Sequence, residues 1–163
     1  MSNDFSHLIT DRTEYDVMHA QELNERIKQD GINSLTISER EAWFDGLRGM
    51  YTTADLNRVE SAVQALATLL RNSGYNANVN TRSWALPDIP TPSEMGRYLN
   101  NISALINAFF ILPDTPERPA NMERLGYEGA NAIERILFDI HFLYNNMTES
   151  HYYLNEIYMG EVQ

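Results

Sequence analysis

One segment of this 163-residue chain carries an apolar stripe that only a helix explains. In TTADLNRVESAVQALATLLRNSG, residues 52–74, apolar positions recur at spacings of three and four: Leu56, Val59, Val63, Leu66 and Leu70. That spacing places the side chains on one face of an α-helix. Thr52 or Thr53 can cap its start, and Gly74 favours a left-handed stop after its end. The segment predicts a helix that buries one face in an all-α core.

Two helices are predicted before this one. The first covers residues 13–30, and the Asp30-Gly31 pair ends it. The second opens at SERE, where Ser38 and Glu41 form a capping-box pattern, and glycines at 46 and 49 keep it short.

Two more helices are predicted after it. In TPSE, Thr91 caps the fourth helix, Pro92 takes its first turn and Glu94 closes a capping box. The fifth covers residues 127–147 and is apolar over a wide arc, which predicts a central position or a second, partner-facing side.

The connection between the third and fourth helices is long and contains prolines. It runs from Gly74 to Pro90, and the stretch RSWALPDIPTPSEM, residues 82–95, covers its end and the start of helix four. Pro87 and Pro90 favour extended backbone in the residues before them. A hairpin of adjacent helices needs far fewer residues. We predict an extended strap that lies along the bundle and buries Trp84, Leu86 and Ile89. The alternative is an exposed strap in which Trp84 anchors a partner.

These elements predict an all-α fold in a single domain, residues 1–163. Its main part, residues 51–149, is an antiparallel helical bundle of three long helices with the extended, Pro-containing strap between helices three and four. Residues 1–50 form a shorter N-terminal helical pair. Residues 150–163 hold no clear helical period and predict an aromatic extended tail.

Charge and composition exclude several classes of function. The formal net charge of −11 disfavours binding to nucleic acid or to an anionic membrane. No apolar run approaches the roughly 20 residues of a membrane span, and the first residues do not resemble a secretory signal. The basic residues are nearly all arginine, which suits either fixed contacts with carboxylates or an ordinary surface.

No pattern predicts catalysis, a metal or a cofactor. The chain has no cysteine, so it has neither a thiol nucleophile nor a thiolate ligand. Glu-x-x-His pairs, a Gly-x-Ser-x-Gly elbow and a phosphate-binding glycine loop are all absent. His141 is interpreted as an edge or core histidine. We therefore expect a protein that is not an enzyme.

Several motifs together resemble a recurring module of phage and prophage structural proteins of gut Firmicutes. They are ITDRTEYDV, TADLNRVESAVQAL with SGY after it, W…DIPTPSEMGRYLNNISAL, LGYEGANAIERILFDI and IYMGEV. They occur in the same order and span nearly the whole chain. Thr53-Ala54 replaces the usual Ala-Thr, and IPTPSEM has an added proline.

The resemblance implies a virion structural protein of the tail, baseplate or fibre-attachment region, made in the bacterial cytoplasm and not secreted. Its partners would be copies of itself, as a homo-oligomer, and other virion proteins. The alternative is an assembly chaperone or acidic regulatory binding protein outside the particle. We expect contact through the wide face of helix five and the tail, with these candidate interface residues: Trp84, Phe142, Tyr152, Tyr153, Ile157 and Tyr158.

Overall fold

The computed structural model describes residues 5–86 and 88–160, and for residues 152–160 it describes the backbone alone. Within these ranges the chain is helical and has no β-strand, which confirms the all-α prediction. The elements are α1 (Glu14–Asp30), a 3-10 turn (Ile32–Ser34), α2 (Ile37–Asp45), α3 (Thr53–Asn72), α4 (Pro92–Ala108) and α5 (Tyr127–Gly160).

Most helix ends lie where the sequence predicts them. Thr91 and Glu94 form the capping box of α4. After α3, Gly74 adopts a φ of 87°, and the next amide, that of Tyr75, donates to the Leu70 carbonyl at 3.0 Å. A left-handed residue at this position satisfies carbonyls that the helix end leaves unpaired.

The start of α2 corrects one prediction. The capping box joins Thr36 to Glu39, two residues before the expected Ser38–Glu41 pair. The Thr36 amide donates to the Glu39 carboxylate at 2.7 Å, and the Glu39 amide donates to the Thr36 hydroxyl at 3.3 Å. Arg26 of α1 also bonds Glu39 at 2.8 Å, so this pair gains a tertiary partner.

The core lies between α3, α4 and α5, each of which contacts the other two. The apolar stripes predicted for these helices supply most of it, together with Trp84 from the strap and Phe5 from the segment before α1. Fully buried members include Val59, Leu66, Leu70, Ile102, Leu105, Ile133, Leu137 and Ile140.

Helices α3 and α5 run in the same direction. Near their starts, Arg58 pairs with Glu134 at 2.8 Å. Near the end of α3, the Ser73 hydroxyl lies 2.9 Å from the hydroxyl of Tyr144, about ten residues further along α5. Residues near the start of α3 thus contact residues near the start of α5, and residues near the end of α3 contact residues further along α5.

Helices α3 and α4 are parallel by the same criterion, so the antiparallel prediction is wrong. Arg97 pairs with Glu60 near the starts, and the rings of Tyr75 and Phe109 meet at 4.9 Å near the ends. The connections at residues 73–91 and 109–126 are long enough to return the chain to its starting end. A return along α3 spans about 30 Å, which roughly ten extended residues cover.

The strap is only partly buried. Trp84 is 4% exposed, as predicted, but Leu86 and Ile89 are each 86% exposed, so the prediction that the strap buries them is wrong. The reason is a turn in which the Asp88 amide donates to the Ala85 carbonyl at 2.7 Å. That turn carries the chain away from the core after Trp84.

Helix α5 continues to Gly160, so the expected extended tail is wrong for the backbone of residues 150–160. Residues 130–159 contain neither glycine nor proline, so nothing in the backbone stops the helix.

The turn before α3 comes close to α1: a Cβ on Gly49 would lie 2.0 Å from the Asp16 carbonyl oxygen. In the described part of the chain, no helix is both long and apolar enough to span a membrane.

Candidate functional site

The most polar interior site is an ion cluster of two arginines and two acids at the start of the bundle. Arg12 precedes α1, Asp55 and Arg58 lie on α3, and Glu134 lies on α5. Arg12 Nη2 contacts Asp55 at 3.0 Å and Glu134 at 2.7 Å. Arg58 contacts both acids as well. The cluster joins the segment before α1 to both helices.

Every acid oxygen in this cluster accepts hydrogen bonds. Glu134, which is 0% exposed, accepts from Arg12, from two nitrogens of Arg58 and from the Ile9 amide. The other oxygen of Asp55 accepts from the amide and hydroxyl of Thr52 at 2.7 and 2.9 Å. Such a saturated pair of carboxylates offers no free base and no open metal position.

The ionisation of Asp55 and Arg58 follows from these bonds. Burial alone would raise the pKa of Asp55, but hydrogen bonds from Thr52 and Arg58 outweigh it and hold the pKa below its usual value. Burial would lower the pKa of Arg58, but its bonds to Glu134 and Asp55 raise it overall. Both groups are therefore charged, and the cluster is electrostatically balanced.

Each long helix also uses one asparagine to hold an extended segment. The Asn131 amide nitrogen donates to the Arg12 carbonyl at 2.8 Å, and its oxygen accepts from the Arg12 amide at 3.0 Å. Asn57 holds both backbone groups of Trp84 in the same way, at 2.9 and 2.8 Å. These side chains replace the partner strand that an extended residue would otherwise need.

The third such asparagine is Asn101 on α4. It donates to the Asn80 carbonyl and accepts from the Asn80 amide, both at 2.8 Å. Arg97 donates to the same Asn80 carbonyl and pairs with buried Glu60, which accepts from the indole N–H of Trp84 at 3.4 Å. The strap up to Trp84 is thus fixed at both ends.

The motifs that carry the family resemblance contribute the residues of this framework. ITDRT supplies Arg12, TADLNRV supplies Asp55, Asn57 and Arg58, and ANAIE supplies Asn131 and Glu134. Sequence reasoning left the placement of the arginines open and did not find this cluster. Arg12 and Glu134 are 122 positions apart, so no local pattern in the sequence joins them.

A cleft of about 460 Å³ lies beside the cluster. Its apolar lining includes Leu56 of α3, Met95 and Leu99 of α4, and Met122 and Leu125 of the second connection.

The hydroxyl of Tyr51, which also lines the cleft, lies 2.6 Å from that of Tyr98. Burial raises the pKa of both phenols, so both stay protonated at neutral pH. This pair offers no ionised group to the cleft.

Of the predicted interface residues, the structure describes the side chains of Trp84 and Phe142, and of these two Phe142 is the exposed one. Trp84 is buried and bonded to Glu60, so it is unavailable to a partner. Phe142 is 47% exposed on α5, with Phe138 one turn before it. The side chains of Tyr152, Tyr153, Ile157 and Tyr158 lie outside the described residues.

His141 and the acids near it have structural partners. The ring of Phe5 lies against that of His141, with centroids 4.1 Å apart and ring planes tilted by 32°. Asp139 accepts from the Thr115 hydroxyl at 2.8 Å and contacts Arg135 at 2.7 Å. Among the described side chains, no group of three or more His, Asp or Glu residues could hold a metal ion.

Comparisons with known proteins give no relative. No family model matches the chain, and no curated protein and no solved structure is significantly similar to it.

Proposed function

We propose that this chain is a structural protein of a phage or prophage particle, in the tail, baseplate or fibre-attachment region. It acts by contact with copies of itself and with neighbouring virion proteins, without catalysis. The family resemblance suggests the particle. The observation that carries the assembly role is that the interior ionisable groups around Glu134 bond one another, whereas apolar side chains such as Phe142 face outward.

The geometry of α5 supports a contact surface on this helix. It has 34 residues, against 20 in α3 and 17 in α4. Tyr75, just after α3, reaches Met147 at 3.6 Å, and α5 continues for thirteen residues beyond that point, to Gly160. Phe138 and Phe142 lie on the same helix with exposed rings. A helix that extends past its neighbours has no helix of the bundle beside its last turns, and another protein can pack there.

The second candidate is an assembly chaperone or an acidic regulatory binding protein that never enters the particle. The net charge of −11 favours it, because a strongly acidic surface attracts a basic partner. The two roles differ in where the chain is found after assembly.

Mass spectrometry of gradient-purified particles from an induced source strain separates the two roles. A virion component gives peptides of this chain at a constant ratio to the major tail protein across the particle fractions. A chaperone or regulator gives such peptides in the lysate alone, and that result would overturn the virion proposal.

A further inference from the structure

The described end of the strap projects from the bundle, with Leu86 and Ile89 each 86% exposed. We call residues 85–86 and 88–90 the strap tip. Within it the Asp88 carboxylate accepts from the Ala85 amide at 2.9 Å. Arg82 bonds the same carboxylate at 2.9 Å, lies 4.1 Å from the ring centre of buried Trp84, and pairs with Glu94 of α4. The tip is therefore held from both sides.

The strap tip presents the two most exposed large apolar side chains of the described chain, Leu86 and Ile89. Residues that hydrogen bonds already hold, as they hold Ala85 and Asp88, lose little conformational entropy when a partner covers them. Aliphatic side chains held in this way act as preformed anchors for a pocket of matching size.

A cleft lies next to the tip on the same molecule. The cleft described above is bordered by Pro90 of the tip and Pro92 of α4. Its volume of about 460 Å³ is in the range of pockets that enclose a ligand. Gly96 also lines it, and a Cβ at that position would meet nothing within 4 Å, so the space beside α4 is open.

We propose that this face joins two copies of the chain: the strap tip of each copy fills the cleft of the other. A two-fold contact brings the same patch of both molecules together, so the patch must contain both the projecting part and its receptor. Tip and cleft share Pro90, and so they meet this condition. The inference rests on the proposed function, because both require contact between copies of this chain.

Charge opposes a second copy less at this face than over the chain as a whole. The chain as a whole carries −11, which opposes self-association. At the tip Arg82 pairs with Asp88 and Glu94, and Arg118 and Glu123 both line the cleft. This patch is therefore nearly balanced, and two copies can meet here with little repulsion.

Sedimentation velocity of the purified full chain over a wide concentration range tests the contact. We expect a reversible monomer–dimer equilibrium. Leu86→Asp places a charge in the partner's cleft, and we expect it to raise the dissociation constant about thirtyfold or more, as loss of a central anchor does. Gly96→Phe fills the cleft from inside and has the same expected effect without altering the tip.

Phe44→Asp is the matched control, because Phe44 is 76% exposed on α2 and does not line the cleft. It changes an exposed apolar residue to the same acid, and we expect no change in the dissociation constant. Circular dichroism of each variant verifies that the helices remain folded. Mixing Leu86→Asp with Gly96→Phe restores one of the two contacts, because the first variant keeps its cleft and the second keeps its tip.

Three results would overturn the inference. One is a chain that stays monomeric at every concentration. Another is a dimer that Phe44→Asp weakens as much as Leu86→Asp does. The third is native mass spectrometry that finds a bound small molecule lost in Gly96→Phe, while Leu86→Asp leaves association unchanged. The virion proposal fails separately, if the chain is missing from particles while the dimer behaves as expected.

Discussion

Asn131 of α5 bonds both backbone groups of Arg12: its amide nitrogen donates to the carbonyl at 2.8 Å and its oxygen accepts from the amide at 3.0 Å. The side chain of the same Arg12 pairs with Asp55 and Glu134. Arg12, which precedes α1, is thus fixed through both its backbone and its side chain. The stability of the fold should depend on these contacts more than on the ion pairs of the surface.

Replacing Asn131 by alanine should destabilise the protein by about 1–3 kcal/mol, because the amide and carbonyl of Arg12 lose their partner in a partly buried place. Urea unfolding followed by circular dichroism measures the change. Asn78→Ala is the control: Asn78 is exposed and its side chain bonds the side chain of Asn76. Equal midpoints for the two variants would contradict the role given to Asn131.

Glu134→Gln should cost about 3–5 kcal/mol, because it removes one charge from a buried, balanced cluster and leaves the two arginines with a single carboxylate. The free energy of unfolding from urea titration is the measurement. Glu149→Gln makes the same chemical change on an exposed turn of the same helix, and we expect it to stay within about 0.5 kcal/mol of wild type.

Two glycines should respond to alanine in opposite directions. Gly74 has a φ of 87°, so Gly74→Ala should cost about 1–2 kcal/mol although no atom lies within 4 Å of the new Cβ. Gly96 is inside α4 with open space around it, so Gly96→Ala should stabilise by about 0.5–1 kcal/mol. Thermal unfolding of the pair checks the signs, and a stabilising Gly74→Ala would contradict the backbone argument.

Stability should fall in acid partly through Glu39. The hydrogen bond from Arg26, helped by the Thr36 amide, lowers the pKa of Glu39 from 4.5 to about 2. A carboxyl whose pKa is lower in the folded state stabilises above its unfolded pKa, and this stabilisation is lost as pH falls from 4.5 towards 2. Urea midpoints across this window should depend less on pH in Glu39→Gln. NMR titration of Glu39 gives its pKa directly, and a value near 4.5 would contradict the assignment.

Removal of residues 150–163 should impair assembly and leave the bundle folded. The contact of α5 with Tyr75, made through Met147, lies before the cut. The urea midpoint should stay near that of the full chain, with a smaller helical signal because α5 is shorter. Incorporation into particles is the assembly readout, and unchanged incorporation would exclude a role for this segment.

The sequence predicts the helices well because their signals are local. The stripe from Leu56 to Leu70 and the capping box at Thr91 each depend on a few neighbouring residues. The direction of the helices could not be predicted this way, because it depends on where the long connections lead. The exposure of Leu86 and Ile89 depends on a turn stabilised by Asp88, which apolar patterns do not reveal.

The candidate site was harder to predict than the fold for a related reason. Arg12 and Glu134 are 122 positions apart, and neither residue differs locally from a surface residue. Asparagines such as Asn57 bond backbone groups, which every residue type offers, so the sequence gives no sign of the partner. Phe142 is an exception: its predicted exposure on α5 follows from the width of the apolar arc.

Because α3, α4 and α5 run in the same direction, the bundle has a net helix dipole along its axis. Peptide dipoles of parallel helices add, whereas those of antiparallel neighbours cancel, so three positive helix ends lie together. An acid in each first turn offsets them: Asp55, Glu94 and Glu128. At the opposite end Arg71 lies in the last turn of α3, while α4 ends without a basic residue. A cationic group that approaches along the axis is therefore attracted to the carbonyl end of α4.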